Sequence, residues 1–447
     1  MTTTPTSDTP WSRREFVKTA AVVGAAGLVA PAAIGRTRAH HADNTLRVGV
    51  IGCGGRGTGA TIQALNADPD SVLWSMGDLF PEKIAPCLGY AEQAMHDADE
   101  EHATSNAARK IQVPDERRFS GFDAFERVLA SGVDVVILTT PPVFRPHHLA
   151  AAIDAGKHVF CEKPVAVDAP GVRSVLESAK RARDKRLSLM SGFCWRYQDQ
   201  VCETFARLLA GGVGDLHTVQ STYNTTGWVT PKPRQPGWSD TEFQARNWQY
   251  FHPMSGDHVV EQAVHAIDWI AWAFGDVAPE RCFAVGGRQT RPDTPETGNV
   301  FDHFSIVYEY PGGRRGYHTC RHWPNTPSDN SMFALGSSGR CTMEPWTGNH
   351  VIEGASPWKG AAKSNDMYQR EHDVLFRAIR SGDPVNDGVR MSHTTLLAIM
   401  GRMAAYTGEV ITWDQAMNSV EDLNTGAWAM GERATPSVAI PGKTRFT

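Results

Sequence analysis

What this chain of 447 residues lacks narrows its function before any motif is read. None of its eight cysteines (Cys53, Cys87, Cys161, Cys194, Cys202, Cys282, Cys320 and Cys341) stands in a C-x-x-C pair, so neither a zinc ribbon nor a thioredoxin-like site is expected. Their dispersion suits buried thiols of a large domain better than a disulfide framework. The spacing H-E-x-x-H is absent, and no metal is expected. Charge of neither sign dominates. The net charge of −5 gives no reason to expect nucleic acid or an anionic membrane as partner. No apolar run makes a stable membrane span, which takes about 20 residues. Internal repeats and low-complexity tracts are missing as well. A hydrophobic fraction of 41% and a charged fraction of 21% are those of a globular chain with room for two cores. Aromatics are the exception, with thirteen tryptophans, several of them beside Gly, Asn and His in the second half. Such flat rings pack cores and also stack on sugars.

The first 42 residues read as a targeting segment and linker. Ser12-Arg13-Arg14-Glu15-Phe16-Val17-Lys18 precedes a short run from Thr19 to Ile34, rich in Ala, Gly and Val. A paired arginine in the pattern S-R-R-x-F-x-K is a twin-arginine signal. Export, to the periplasm or otherwise out of the cytoplasm, is expected, with the twin-arginine translocase as a transient partner and cleavage within Thr37–Ala42. That route carries folded proteins. A nicotinamide cofactor loaded inside would have to be held tightly and regenerated in place.

The mature chain opens with a dinucleotide-binding pattern. Leu46 to Ile51 is a short β-branched run, as a buried parallel strand requires. It runs into Gly52-Cys53-Gly54-Gly55-Arg56-Gly57, and helical spacing follows from Thr58 to Asn66. Strand, glycines and helix in that order form the G-x-G-x-x-G fingerprint. Gly52 permits the tight turn, Gly54 admits the pyrophosphate and Gly57 lets the helix pack closely. A second strand, from Ser71, ends at Gly77-Asp78. A carboxylate there bonds the adenosine ribose and repels a 2′-phosphate, so NAD is expected and NADP disfavoured. Val133 to Leu138 is a further strand, ending at Thr139-Thr140-Pro141-Pro142, a turn that should flank the cofactor. Another strand ends in Cys161-Glu162-Lys163-Pro164.

The glycine loop, the Thr-Pro-Pro turn, Ala155-Gly156-Lys157-His158-Val159 and the Glu-Lys-Pro end together resemble the Gfo/Idh/MocA oxidoreductases, the family of glucose–fructose oxidoreductase and inositol dehydrogenase. The resemblance covers nearly all of residues 45–410. It implies an α/β protein: an N-terminal doubly wound parallel sheet, here 43–165, and a C-terminal α+β domain, here 166–447, with a large, mostly antiparallel open sheet. It also implies a homo-oligomer paired through the second domain. Lys163 would lie near the nicotinamide and the reacting hydroxyl, where its charge stabilises a developing alkoxide. Gly55, Arg56, Thr140, Pro141, Glu162 and Arg196 join Gly52, Gly54, Gly57 and Asp78 as expected cofactor contacts.

The other half of the chemistry is expected between Ser255 and Trp269. The family pattern D-x-x-x-H, followed by x-x-D, reads here as Glu261-x-x-x-His265-x-x-Asp268. On one helix, residues four apart are neighbours. Glu261 and His265 should therefore stand together, with Asp268 orienting the imidazole. His265, with a reference pKa of about 6.5, is the best-matched base for a hydroxyl proton. Glu261 replaces the usual Asp, and Arg145 stands where the family often has His; both bear on which substrate fits. Expected substrate contacts are Arg145, Tyr223, Trp248, His252, His258, Asp268 and His318. The polar loop holding Trp228, Trp238, Arg246 and Trp248 is expected to form a lid.

Three readings remain open. The first is net oxidation of a sugar, polyol or glycoside by tightly bound NAD. The second is redox-neutral glycoside cleavage or epimerisation through a transient keto sugar, which needs a second base for a carbon-bound proton. The third is a non-catalytic sugar-binding role.

Overall fold

The computed structural model describes residues 44–102, 107–227, 230–361, 364–424 and 428–446. The twin-arginine segment, its cleavage stretch and Trp228 lie outside the described residues. Six short strands form the first sheet: β1 (Leu46–Ile51), β2 (Ser71–Asp78), β3 (Arg118–Ser120), β4 (Val135–Leu138), β5 (His158–Cys161) and β6 (Leu189–Ser191). All neighbouring pairs run parallel, in the order β3-β2-β1-β4-β5-β6. The winding reverses between β1 and β4, which opens a crevice beyond their carboxyl ends. Helix α1 (Gly55–Ala67) starts at that crevice, directly after β1.

The first domain runs further than the boundary at 165 expected from the sequence. β6 pairs with β5 through Leu189, Met190 and Ser191. A strand buried beside a parallel neighbour belongs to that sheet, so residues 166–188 are its crossover, built on helix α2 (Ala169–Asp184).

The second sheet has nine strands: β7 (Leu216–Thr225), β8 (Arg281–Gly287), β9 (His303–Glu309), β10 (Arg315–His322), β11 (Met332–Gly336), β12 (Gly339–Glu344), β13 (Asn349–Gly354), β14 (Trp358–Lys359) and β15 (Ile411–Thr412). Their order is β14-β13-β12-β11-β7-β10-β9-β8-β15. Only β7 and β10 run parallel; the other pairs are antiparallel. Alternation decides the faces. Phe304, Ile306 and Tyr308 of β9 are buried, whereas Phe283 and Val285 of β8 and Phe333 and Leu335 of β11 are exposed on the other side. One face is therefore packed and the other open.

The packed face meets helices α4 (Val264–Ala273) and α6 (Gly388–Thr407); α3 (His258–Glu261) packs on α6, and α5 (Met367–Ser381) packs instead on α1 and the first sheet. α6 is buried at every residue from Met391 to Thr407, as a helix that is apolar nearly all round must be. It packs on both α2 and β8, which ties the two domains together. All eight cysteines are free thiols, and only Cys202 is not fully buried. Among the described residues no helix is long and apolar enough to cross a membrane.

Candidate active site

The glycine loop shows what it was built to admit. Gly52 has φ +101°, and a Cβ there would meet the Thr139 backbone at 2.8 Å. A Cβ on Gly57 would fall 1.9 Å from the Gly52 carbonyl oxygen, so only glycine lets α1 start this close to β1. At Gly54 and Gly55 the same test meets nothing within 4 Å. That open ground lies at the N-terminus of α1, where unpaired N–H groups and the helix dipole favour a phosphate. Asp78 closes the loop from the side: its carboxylate accepts the Cys53 N–H at 2.7 Å and the Phe80 N–H at 2.9 Å. Burial raises its pKa, and those two donors oppose the rise. A cavity of about 610 Å³ is lined by Gly52, Gly54, Asp78, Thr140 and Pro141. The residues present fit a dinucleotide.

Lys232, Arg246, Trp248 and Trp428 wall the same cavity from the second domain and the C-terminal tail. Trp248, expected at the substrate, thus stands beside Asp78 instead. The loop carrying it is drawn there by Arg246, which pairs with Glu82 at 2.6 Å. Thr140 is set by His148, its hydroxyl 3.2 Å from Nδ1. The His148 ring lies 4.3 Å from Phe125 and 5.9 Å from Phe144, and burial pulls its pKa down to about 3.

At the other end of the crevice Lys163 leaves β5 and crosses to the second domain. Its Nζ donates to the main-chain oxygen of Glu261 at 2.7 Å. Arg145 lies beneath, fully buried, and donates to the Pro164 oxygen at 2.6 Å, so it braces the Glu-Lys-Pro turn. Glu261 and His265 do not share one helix. α3 ends at Glu261 and α4 begins at Val264, with Gln262 and Ala263 at the break. Here the Ala263 N–H reaches back five residues to the His258 oxygen, at 2.9 Å. Both side chains still feel the charge of the same lysine. Burial raises the Glu261 pKa against the pull of Lys163 and Arg145. Burial, reinforced by the charges of Lys163 and Arg56, holds His265 well below the usual imidazole range. His265 is therefore neutral at neutral pH.

Four expected contacts are placed elsewhere. Asp268 does not orient His265. Its carboxylate is taken by Arg196 through two bonds of 2.8 Å and by the Thr394 hydroxyl at 2.7 Å. Arg196, expected at the cofactor, is thus engaged within the second domain; its second partner is Asp276, at 2.6 Å. A guanidinium this deeply buried is costly unless its donors are paired, and here they are paired with two carboxylates. His252 is buried against Asn299, ring to amide at 2.7 Å, and His318 against the Ser221 hydroxyl at 2.9 Å. His258 stays near the site, 3.1 Å from Asp257 and 4.3 Å, ring to ring, from His322. Tyr223 is close too: burial, helped by the Glu261 charge, raises its pKa. Arg56 and Glu162, expected at the cofactor, bond each other at 2.5 Å.

The family model described as an oxidoreductase family with an NAD-binding Rossmann fold matches residues 46–191, and the Gfo/Idh/MocA C-terminal domain matches 204–342. The chain belongs to the Gfo/Idh/MocA family. Among its curated relatives, trans-1,2-dihydrobenzene-1,2-diol dehydrogenase of Sus scrofa is 29% identical over 217 residues, covering 48% of this chain and 55% of its own. The 2,7-anhydro-N-acetylneuraminate hydratase of Escherichia coli (strain K12) is 25% identical over 209 residues, 47% of this chain and 50% of its own. The chain thus spans about half the length of the curated relatives it matches. The solved structure of an aldose-aldose oxidoreductase from Caulobacter crescentus, complexed with glycerol, shares the fold at 19% identity and a TM-score of 0.61, over 82% of this chain and 99% of that one.

Within this Gfo/Idh/MocA site some residues carried no legible signal. Glu371 of α5 pairs with Arg56 at 3.0 Å from 315 positions away. Trp428 reaches the cavity from a Pro- and Gly-bearing tail. Gln262, which accepts from or donates to His322 Nε2 at 2.5 Å, could have been found as the residue beside Glu261.

Proposed function

We propose that this protein is an exported, NAD-dependent oxidoreductase that acts on a secondary hydroxyl of a sugar, polyol or glycoside. The observation that carries the reading is the reach of Lys163 from the crevice, on the side away from Asp78, to the Glu261 main-chain oxygen, with its charge acting on both Glu261 and His265. Bound NAD supplies a two-electron hydride acceptor. Lys163 holds a positive charge where the hydroxyl oxygen turns anionic. His265, neutral and half-buried, receives the hydroxyl proton. Glu261 lies near enough for that charge to act on its carboxylate. Asp78, with both oxygens fixed by backbone N–H groups, supports NAD over NADP. A roof from Trp248, Trp428 and Arg246 supports tight retention of the cofactor, as export of a loaded protein requires.

The second reading is a redox-neutral reaction through a transient keto sugar. The relative named a hydratase rather than a dehydrogenase favours it. Tyr223 and His258, beside Glu261, are the bases it would use.

One experiment separates them. The mature protein is purified from the periplasmic fraction, its released cofactor is identified by mass, and the holoenzyme is incubated with free sugars and p-nitrophenyl glycosides. Absorbance growth at 340 nm with free sugars supports net oxidation. Nitrophenol release without accumulated NADH supports the redox-neutral route. Protein confined to the cytoplasm, or a released cofactor that is NADP, would overturn those parts of the reading.

A further inference from the structure

The dinucleotide cavity has one wall that neither sheet supplies. Asn424 and Trp428 line it from the C-terminal tail, beyond the residues that match the two family domains. Trp428 stands at the Asp78 end. Its ring lies 6.2 Å from Phe122, which follows Gly121, and the Gly121 N–H donates to the Asp78 main-chain oxygen at 3.1 Å. Lys163, Glu261 and His265 lie outside this lining. The tail therefore meets the adenosine half of a dinucleotide and not its nicotinamide.

The ring is held, and so is the chain on both sides of it. Phe144 meets Trp428 edge-on, with centroids 4.5 Å apart and planes at 61°. The Arg433 guanidinium lies over the indole, 3.9 Å from its centroid. The indole N–H donates to the Asn424 side-chain oxygen. Upstream, the tail is fixed to the first domain: the Leu423 N–H donates to the Asp168 carboxylate at 2.8 Å, and Arg173 donates to the Ser419 oxygen at 3.0 Å. Downstream, it is fixed to the second domain, on the helix Asp240–Arg246. The Thr241 N–H donates to the Gly431 oxygen at 3.1 Å, the Gln244 amide to the Arg433 oxygen at 2.8 Å, and the Arg433 N–H to the Asp240 carboxylate at 3.2 Å. That helix also carries Arg246, which lines the same cavity. The tail thus ties the two domains together across the adenosine end.

We propose that the tail, through Trp428, locks the adenosine half of the bound dinucleotide and so slows release of its oxidised and reduced forms alike; this rests on the NAD reading above. A tie at the adenosine end makes no contact with the ring that gains or loses the hydride, so it cannot tell the two forms apart. An aromatic side chain fixed before binding adds contact area without the entropy of ordering it. The cofactor then stays resident through successive turnovers.

The test measures release, not turnover. Wild type, Trp428→Ala, Trp428→Phe and Arg433→Ala are loaded with NADH and mixed with excess ADP-ribose, which carries the adenosine half without the nicotinamide. Fluorescence excited in the nicotinamide band gives the off-rate, and calorimetry gives the affinities for ADP-ribose and NAD. Trp428→Ala should release NADH about tenfold faster or more, and should lose affinity for ADP-ribose and NAD by the same factor. Trp428→Phe should keep most of the retention. Arg433→Ala should shift release in the same direction by a smaller factor, and it decides the question if Trp428→Ala does not fold. Off-rates within about twofold of wild type in both would overturn the lock while leaving the dinucleotide reading intact. So would an affinity loss for NAD that ADP-ribose does not share. A wild type that binds neither NADH nor ADP-ribose would sink both. One that holds NADPH instead of NADH would overturn only the choice of NAD, and the lock is then read from NADPH release.

Discussion

Lys163 is the residue on which the two domains converge. It is placed by a strand of the first sheet, braced from below by Arg145 at the Pro164 oxygen, and anchored in the second domain by the Glu261 main-chain oxygen. None of those partners neutralises it by direct pairing, since the bond from its Nζ ends on a carbonyl. Its charge is thus available to an anion that forms only during reaction. Lys163→Ala should then lower turnover by about 10²–10³-fold, the cost of losing one preorganised donor to a developing oxyanion, while the affinity for NAD stays close to that of wild type. Stopped-flow turnover and a fluorescence titration with NADH check the two halves. Turnover within tenfold of wild type would remove Lys163 from the chemistry.

At the scale of elements, the turn from β1 into α1 separates two uses of glycine that one motif merges. Gly57 is required by the protein itself, because a Cβ would lie 1.9 Å from the Gly52 oxygen. Gly54 is required only by what binds there, because its Cβ would meet nothing. Gly57→Ala should therefore lower the melting temperature of the cofactor-free chain by about 5 °C or more, whereas Gly54→Ala should leave it within about 1 °C. Gly54→Ala should still weaken NAD binding about tenfold or more, since the backbone can no longer approach the pyrophosphate. Equal melting shifts for the two would contradict this division. The same scale shows what the sequence could reveal. Local patterns carried β1, the glycine loop, Asp78 and Lys163, because each depends on neighbours within a few residues. The break between α3 and α4 was hidden, since Glu261 to Asp268 keeps helical spacing while tertiary packing bends the backbone at Gln262. The pairing of Asp268 with Arg196 was hidden for another reason: 72 positions separate them, and only the fold makes their burial a shared problem. Trp248 was misplaced because Arg246 finds Glu82, 164 positions away.

Across the whole molecule, the buried histidines form a set with one consequence. His148, His318 and His372 have pKa values pulled down to about 3, and His252 and His393 to about 4, in every case chiefly by burial. In the unfolded chain each returns to about 6.5. Above that value neither state binds the extra protons, and these residues contribute no pH dependence. Between about 6.5 and 4 the unfolded chain takes them up and the folded chain does not, so stability falls as pH falls. Each such imidazole adds a slope of up to about 1.4 kcal/mol per pH unit in that window, and the slope flattens below about 3, where the folded state is protonated too. Urea unfolding at pH 7.5, 6 and 5 should show midpoints dropping steeply over the last two points, well before ion-paired carboxylates such as Asp276, lowered to about 2, begin to titrate. His148→Gln changes the absolute stability by an amount that depends on packing between Phe125 and Phe144, but it should make the slope shallower by the share of one proton. A midpoint that is flat or rises from pH 6 to pH 5 would mean that these imidazoles are charged in the folded protein, and Thr140, at the wall of the cofactor cavity, would then contact a cationic His148 rather than a neutral one.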